Sequence, residues 1–245
     1  MKIDFLVAGV QKAGTTSLDA WLRQHSDIGM ARRKEVHFFD NEEVFAQGTP
    51  DDALYHAEWD ADAHVLIRGE VTPITTYWAD APRRIWHYNP HMRLIVLLRN
   101  PIERAWSHWK MACKLGEEDL PFAEAIRRET ERCRVALPFQ HRMFSYIDRG
   151  FYSEQIRRLR RFFPNEQLLF IKSEGFRCDP QAGLTRICQF LAVPDMAFDV
   201  RQRLNASPDI GDIPPTDRRY LREVLAPDIR QTEALLGWQC PDWYE

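Results

Sequence analysis

The sequence of 245 residues predicts an α/β fold of three layers, in which a central and mostly parallel sheet is flanked by helices. Short apolar runs of strand length alternate with segments whose apolar residues recur at helical spacing. The first apolar run is followed directly by a glycine-containing loop and then by a helical segment. This alternation is typical of parallel sheets covered by helices. The length suits one large α/β domain, so we expect residues 1–245 to form a single domain.

The strands are predicted from the apolar runs. Ile3–Val10 is almost continuously apolar, as parallel strands buried on both faces are. Arg93–Leu98 is the strongest run; it ends at Arg99, and Pro101 suits the first turn of a following helix. The other predicted strands are Val65–Gly69 and Gln167–Ile171.

Helices are predicted where apolar residues recur three or four positions apart. The first follows the loop, with Thr16 or Ser17 as its cap. The arginine-rich run 157–161 shares its helix with apolar residues, so we interpret it as a solvated basic face and not as a polyanion site. Asn205–Pro215 is the least regular stretch and is predicted to be a loop within the domain. The apolar positions that mark the helices are Leu18, Trp21 and Leu22; Ile156, Leu159 and Phe163; Leu184, Ile187 and Leu191; and Leu221, Val224 and Leu225.

The composition excludes several classes of function. The net charge of −3 gives no overall basic field, so we expect no nucleic-acid partner. No stretch approaches the ~18 apolar residues of a membrane span, and the first apolar run is too short for a signal peptide. The five cysteines lack CxxC spacing and favour reduced thiols, which predicts a cytoplasmic protein. No cluster of His, Asp or Glu has the spacing of metal ligands, so we expect no metal requirement.

The loop Gly9–Ser17 is a candidate phosphate site. A helix that begins after a strand offers N–H groups and the positive end of a dipole to an anion, and glycine lets the backbone approach it closely. A nucleotide kinase or GTPase would read GxxxxGK[ST], but Thr15 occupies the lysine position and the loop lysine is Lys12. The fold is therefore predicted to be P-loop-like, with the lysine moved. The alternative for the loop is an ordinary turn between a strand and a helix.

Five segments together resemble the sulfotransferases that use 3′-phosphoadenosine 5′-phosphosulfate (PAPS). Within that family they are similar to the branch that contains the heparan sulfate sulfotransferases and their bacterial relatives. GVQKAGTTS resembles the phosphosulfate loop, and RLIVLLRNPIERAWSHW resembles the 3′-phosphate motif. ARRKEVHFFD, RGFYSEQIRRLRRFFPNEQLLFI and the PP…LLGW tail also agree. The resemblance covers nearly the whole chain and implies sulfuryl transfer from PAPS, with 3′-phosphoadenosine 5′-phosphate (PAP) as product and no metal.

The resemblance implies three catalytic residues. Lys12 is placed to stabilise the leaving 5′-phosphate, and Glu35 is the general base for the acceptor. Partial burial beside Val36, Phe38 and Phe39 is expected to raise the pKa of Glu35; the alternative is a solvated glutamate paired with Lys34 or Arg33. His37 assists the base or binds the acceptor, with Asp40 as a further candidate. Each also has a purely structural alternative.

The implied donor site uses both halves of the chain. Arg99 and Ser107 resemble the ligands of the 3′-phosphate, Arg218 is a further candidate, and Arg104 is interpreted as a surface partner of Glu103. An arginine fork suits phosphate, and a hydroxyl adds a neutral donor. The residues implied to hold the phosphosulfate are Gln11, Lys12, Ala13, Gly14, Thr15, Thr16 and Ser17.

The chain departs from the heparan sulfate branch at two places. Val71 stands where that branch commonly has a lysine, for which Lys34 or Arg32 is a candidate substitute. The Asn205–Pro215 loop carries Asp209 and Asp212 where the branch has a basic loop. The acceptor is predicted only as a hydroxyl or amino group of a carbohydrate or natural-product small molecule. Two alternatives stay open: a P-loop small-molecule kinase and a non-catalytic nucleotide-binding protein.

Overall fold

Five parallel strands form one sheet in the computed structural model, which describes residues 2–60, 64–201 and 211–245. They are β1 Phe5–Gly9, β2 Ile28–Met30, β3 Ile67–Val71, β4 Arg93–Leu98 and β5 Leu168–Lys172. Their order across the sheet is β2–β3–β1–β4–β5, so the first strand of the chain lies in the middle. All five residues of β1 are buried, and this strand forms the centre of the core.

The pairing of β1 with β3 depends on a glycine. Phe5 lies opposite Gly69 in the parallel register, and a Cβ atom at position 69 would lie 2.2 Å from the Phe5 ring. Only a residue without a side chain lets these two strands approach in this way. On its other side β1 pairs with β4, and the register shifts between Val7 and Gly9, where the strand ends.

The helices follow the strands in the order that the sequence predicts. Contacts with the sheet are made by α1, α9 and α10 among others, so the sheet is flanked by helices. The helices are α1 Thr15–Leu22, α2 Glu42–Phe45, α3 Asp52–His56, α4 Ala81–Tyr88, α5 Pro101–Leu115, α6 Phe122–Arg127, α7 Glu129–Cys133, α8 Tyr152–Arg160, α9 Ser173–Cys178, α10 Pro180–Leu191 and α11 Pro215–Leu236.

The chain divides into two compact units. The first comprises Met1–Leu98 and Leu159–Asn205, and it contains the whole sheet with α1 to α4, α9 and α10. The second comprises Arg99–Arg158 and Ala206–Glu245, and it contains α5, α6, α7 and α11. The boundary falls within α8.

The predicted α/β class with a mostly parallel sheet is confirmed, and two details differ from prediction. The first helix begins at Thr15 with Gly14 as its N-cap, so the prediction of Thr16 or Ser17 as the cap is wrong. Gly14 has φ 96°, which turns the chain into the helix without a side-chain cap. The short edge strand β2 was not predicted, because three residues carry too little periodicity. The predicted Asn205–Pro215 loop lies outside the described residues up to position 210, and α11 begins at Pro215.

Candidate active site

The loop between β1 and α1 is tightly built. The N–H of Ala13 donates to the carbonyl of Val10 at 3.2 Å, and the Ser173 hydroxyl donates to the carbonyl of Ala13 at 2.8 Å. A Cβ atom on Gly9 would lie 2.4 Å from the Thr76 hydroxyl, so glycine is required there. The loop therefore has one defined shape, fixed by residues of β1, α9 and the segment after β3.

This loop presents N–H groups and a cation together. The first-turn N–H groups of an α-helix have no acceptor within the helix, and α1 carries no acidic residue in that turn. Lys12 has φ 75°, a left-handed conformation that is uncommon for a residue with a side chain. The structure thus brings the sequence-predicted positions Gln11 to Ser17 together around the start of α1, as an anion site requires.

A second loop reaches the same edge of the sheet. The N–H of Glu35 donates to the carbonyl of Val71, the last residue of β3, at 2.9 Å. Buried Arg84 of α4 donates to the carbonyl of Phe39 at 3.0 Å. Because β3 and β1 are neighbouring parallel strands, Glu35 and the phosphate loop both lie at the carboxyl ends of adjacent strands. Ligands of open α/β sheets bind at that edge.

Four charged side chains meet in this second loop. Lys34 Nζ pairs with Glu35 Oε1, His37 Nε2 lies 3.5 Å from Glu35 Oε2, and His37 Nδ1 lies 2.8 Å from Asp40 Oδ2. The Asp40 side chain is 0% exposed, whereas 31% of Glu35 and 41% of His37 is accessible. The series Lys34–Glu35–His37–Asp40 therefore alternates in charge, and of its four members only Asp40 is fully buried.

The charges set the protonation states. The hydrogen bond with Asp40, and then that with Glu35, raises the pKa of His37 to about 9, so it is an imidazolium at neutral pH and donates to both carboxylates. Burial raises the pKa of Glu35, but the hydrogen bond from His37 and the charge of Lys34 together outweigh it, and the pKa lies below the ordinary 4.5. The expectation of a raised Glu35 pKa is therefore wrong. Two cations stand beside the carboxylate: the pairing with Lys34 was the stated alternative, and the contribution of His37 was not foreseen.

The second unit holds the other predicted donor residues. Arg99 precedes Asn100, the N-cap of α5, whose side chain accepts from the N–H of Ile102 at 2.9 Å. Ser107 lies buried within the helix. Arg218 of α11 donates to Glu103 at 2.8 Å, and Glu103 lies 4.0 Å from Arg99. One carboxylate thus faces two guanidinium groups.

Arg104 differs from its prediction as a surface partner of Glu103. Its side chain is 0% exposed and donates to the carbonyl of Tyr146. It lies on the buried side of α5, since residue 104 is one position further round the helix than 103.

Sequence reasoning assigned no role to Glu70, a buried carboxylate beneath the Glu35 loop. The sequence feature that could have identified it is an acidic residue at the end of an apolar strand, because a carboxylate is rarely buried unless it has partners. Val71, the position of the family lysine, is buried, and the lysine that contacts Glu35 is Lys34.

Within residues 2–60, 64–201 and 211–245, no group of three or more His, Cys, Asp or Glu side chains is arranged to hold a metal ion. Over the same ranges, the helices are too short or too polar to cross a bilayer.

Comparisons with known proteins agree with this geometry. The sulfotransferase domain model matches residues 2–205. Heparan sulfate glucosamine 3-O-sulfotransferase 6 of Homo sapiens is 30% identical over 208 residues, which cover 82% of this chain and 56% of the relative. Heparan sulfate glucosamine 3-O-sulfotransferase 3B1 of Homo sapiens is 29% identical over 79% of this chain and 47% of its own length. The chain thus spans about half the length of these relatives.

Solved structures are similar as well. A sulfotransferase from Alicyclobacillus acidocaldarius superposes with a TM-score of 0.87 at 27% identity, covering 100% of both chains. Mouse sulfotransferase SULT7A1, solved in complex with PAP, shares the fold with a TM-score of 0.56 at 14% identity, over 94% of this chain and 86% of its own. With a family model that matches most of the chain, these findings show that the chain belongs to the sulfotransferase family.

Proposed function

We propose that this protein transfers a sulfuryl group from PAPS to a hydroxyl or amino group of a carbohydrate or another small molecule. The observation that carries the proposal is the placement of Glu35, an ionised carboxylate, at the same edge of the sheet as the Gly9–Ser17 loop. Glu35 can accept a proton and the loop can bind an anion, and sulfuryl transfer needs both functions.

The reaction forms one S–O or S–N bond and breaks one S–O bond. The acceptor attacks sulfur, the bond from sulfur to the bridging oxygen breaks, and PAP leaves with the negative charge. Glu35 accepts the proton that the acceptor loses. Lys12 and the N–H groups at the start of α1 stabilise the charge that grows on the leaving phosphate.

The low pKa of Glu35 is compatible with this role. An alcohol becomes strongly acidic only once its oxygen has begun to bond to sulfur, so a weak base is sufficient if proton transfer is late. His37, held as a cation by Asp40, keeps Glu35 ionised and oriented. Lys34 pairs with the other oxygen of the Glu35 carboxylate. We propose that Lys34 takes the place of the lysine that the heparan sulfate branch commonly has at position 71.

Arg99 and Ser107 are proposed to bind the 3′-phosphate of the donor, with Arg218 beside them. The carboxylate of Glu103 faces Arg99 and Arg218, so these guanidinium groups already form a site for an anion. A bidentate contact from arginine gives affinity and orientation together.

The acceptor is proposed from the relatives. The names of the human relatives specify glucosamine in heparan sulfate, a carbohydrate acceptor for 3-O-sulfation. Arg32 and Arg33 are exposed directly before Lys34, and they favour an acceptor that carries negative charge. Heparan sulfate oligosaccharides are therefore the first acceptors to assay.

Isothermal calorimetry with PAP and with ATP tests the donor. We expect PAP to bind at least about 10-fold more tightly than ATP, because ATP lacks the 3′-phosphate that Arg99 and Ser107 contact. Arg99→Ala should abolish this preference, and Arg83→Ala, an exposed arginine paired with Asp80, should not. Equal affinity for the two nucleotides in the wild type would favour a kinase and overturn the proposal. Binding of PAP without transfer from radiolabelled PAPS to any oligosaccharide or small alcohol tested would favour a non-catalytic nucleotide-binding protein.

A further inference from the structure

Glu70 is a carboxylate buried beneath the loop that carries Glu35 and His37. It lies in β3 and is 1% exposed. Tyr55 donates its hydroxyl to Glu70 Oε1 at 2.6 Å, and Thr72 donates its hydroxyl to Glu70 Oε2 at 2.6 Å. The backbone N–H of Val36 faces the same carboxylate. Two hydroxyl donors and one facing N–H therefore meet two oxygens in the core.

The Val36 contact lies at a strained point of the loop. Glu35 has φ 62° and His37 has φ 56°, so left-handed residues flank Val36 on both sides. Such a conformation is unfavourable for a residue with a side chain and persists only where its surroundings hold it. The N–H of Glu35 donates to the carbonyl of Val71 at 2.9 Å and attaches this strained segment to the end of β3, and the N–H of Val36 next to it faces Glu70.

Position 70 requires a side chain in which both terminal atoms accept hydrogen bonds. A glutamine at position 70 has one carbonyl oxygen and one NH2 group, and the NH2 group would face a hydroxyl or N–H donor. A carboxylate fully removed from water is costly, and burial raises the pKa of Glu70 even against the three donors. A leucine would fill a core position without this cost, so the carboxylate is explained by what it holds in place.

We propose that Glu70 is a positioning residue for the Glu35–His37 pair. Its carboxylate fixes the backbone of Val36 between them and thereby sets the direction in which both side chains leave the loop. The inference rests on the proposed function only for its catalytic consequence. The positional claim is independent of it, because the contact of His37 with Glu35 and Asp40 is observable without any substrate.

The titration of His37 by heteronuclear NMR tests the positional claim. The groups that face His37 are Glu35 and Asp40, and they hold its pKa at about 9. We expect Glu70→Gln to lower the His37 midpoint by at least about one pH unit, because the loop loses the geometry of both contacts. His37→Gln assigns the resonance. Tyr55→Phe and Thr72→Val each remove one donor, should give smaller shifts in the same direction, and carry the test if Glu70→Gln does not fold.

Glu118→Gln is the matched control. Glu118 is also a buried glutamate that accepts from a tyrosine hydroxyl and a backbone N–H, Tyr146 at 2.8 Å and Leu120 at 3.0 Å, but it belongs to the second unit. It should leave the His37 midpoint unchanged. An unchanged midpoint in all three variants of the Glu70 site, or an equal shift in Glu118→Gln, would overturn the inference.

The catalytic consequence is measured with PAPS and heparan sulfate oligosaccharides. We expect Glu70→Gln to lower kcat by about 10–100-fold, with the KM for PAPS and the affinity for PAP within about twofold of wild type. A loss of PAP affinity equal to the loss of kcat would show a collapse of the site and would contradict a positioning role. If wild-type protein binds no PAP, the proposed function fails while the titration of His37 still decides the role of Glu70.

Discussion

Lys12, Glu35 and His37 share a backbone property besides their proposed chemistry. All three have positive φ, and in the described residues the only other residue with a side chain in this region is Ala192. Strained residues of this kind concentrate at functional sites, because the surrounding structure must hold them. The sequence patterns that pointed to these residues contain no information on φ, so the dihedral angles are an independent observation.

Glu35→Gln is the first prediction at the scale of single residues. The amide removes the base without changing the shape of the side chain, so we expect PAP affinity to stay near wild type and kcat to fall by about 10²–10⁴-fold. Since the pKa of Glu35 lies below 4.5, the wild-type rate should be flat at neutral pH and fall only below about pH 4.5. The variant should lack this acid limb. Steady-state rates with PAPS across pH decide it, and near-normal turnover of the variant would show that Glu35 is not the base.

His37 provides a prediction for stability. Its pKa is raised from 6.5 to about 9 by Asp40 and Glu35, so the folded state binds the proton more tightly than the unfolded state. The protonated His37 therefore adds to the free energy of unfolding. This stabilisation is complete below pH 6.5 and is lost as the pH rises through 9. Urea denaturation at pH 6 and at pH 9.5 should therefore show a wild-type advantage over His37→Gln that shrinks at the higher pH. An advantage independent of pH would mean that the ion pairs do not form.

Two substitutions of Lys12 separate chemistry from strain. Alanine and glycine both remove the ammonium group, so both should lower kcat by orders of magnitude with a smaller loss of PAP affinity. Only glycine relieves the strain at φ 75°, which is worth about 1 kcal/mol. Lys12→Gly should therefore melt about 2–4 °C higher than Lys12→Ala. Equal melting temperatures would show that the loop relaxes around alanine.

At the scale of elements, the central strands were predictable and the edge was not. Arg93–Leu98 was predicted with its observed bounds, because it is continuously apolar and ends at a charged residue before a proline. β2 escaped prediction because Ile28–Met30 pairs only with β3 and is too short for a periodic signal. The Gly14 cap escaped prediction because a left-handed glycine needs no side-chain signal.

The prediction at this scale concerns α5 and the residue before it. If Arg99 and Ser107 bind the 3′-phosphate, their substitution should weaken the binding of PAP and leave the binding of 5′-AMP almost unaffected. We expect about 10–100-fold weaker PAP binding for Arg99→Lys and up to about 10-fold for Ser107→Ala. Calorimetry with both nucleotides measures the ratio, and Arg128→Ala, an exposed arginine paired with Glu124, is the control. Equal losses for PAP and 5′-AMP would place these residues elsewhere in the nucleotide site.

At the scale of the whole molecule, the net charge is −3, so positive potential arises only from local groups of basic residues. The sequence was sufficient to propose which basic residues form the site, since Lys12, Lys34 and Arg99 each lie in a motif. It was insufficient for the balance at Glu35, where the sign of the pKa change depends on distances to Lys34 and His37. It was also insufficient for Arg104, because the same motif carries a partly accessible arginine, Arg99, and a fully buried one, Arg104.

Transfer without a metal is the prediction that belongs to this scale. Lys12 and the N–H groups of α1 are expected to supply the positive charge that Mg²⁺ supplies in kinases. Transfer from PAPS should therefore keep its rate in excess EDTA, and added Mg²⁺ should not increase it. Loss of activity in EDTA that Mg²⁺ restores on titration would contradict this charge assignment.

The hydroxyl of Ser173 that holds the carbonyl of Ala13 has a consequence for the order of events on the ribosome. The phosphate loop is translated before β4, with which its strand pairs, and before the serine that fixes it, which follows β5. The two partners lie 160 positions apart in the sequence. Contacts between such distant residues form late, because the intervening chain must first be made and closed into a loop. The nascent chain therefore carries an unfinished phosphate loop until α9 has emerged, and the loop reaches its final shape only then.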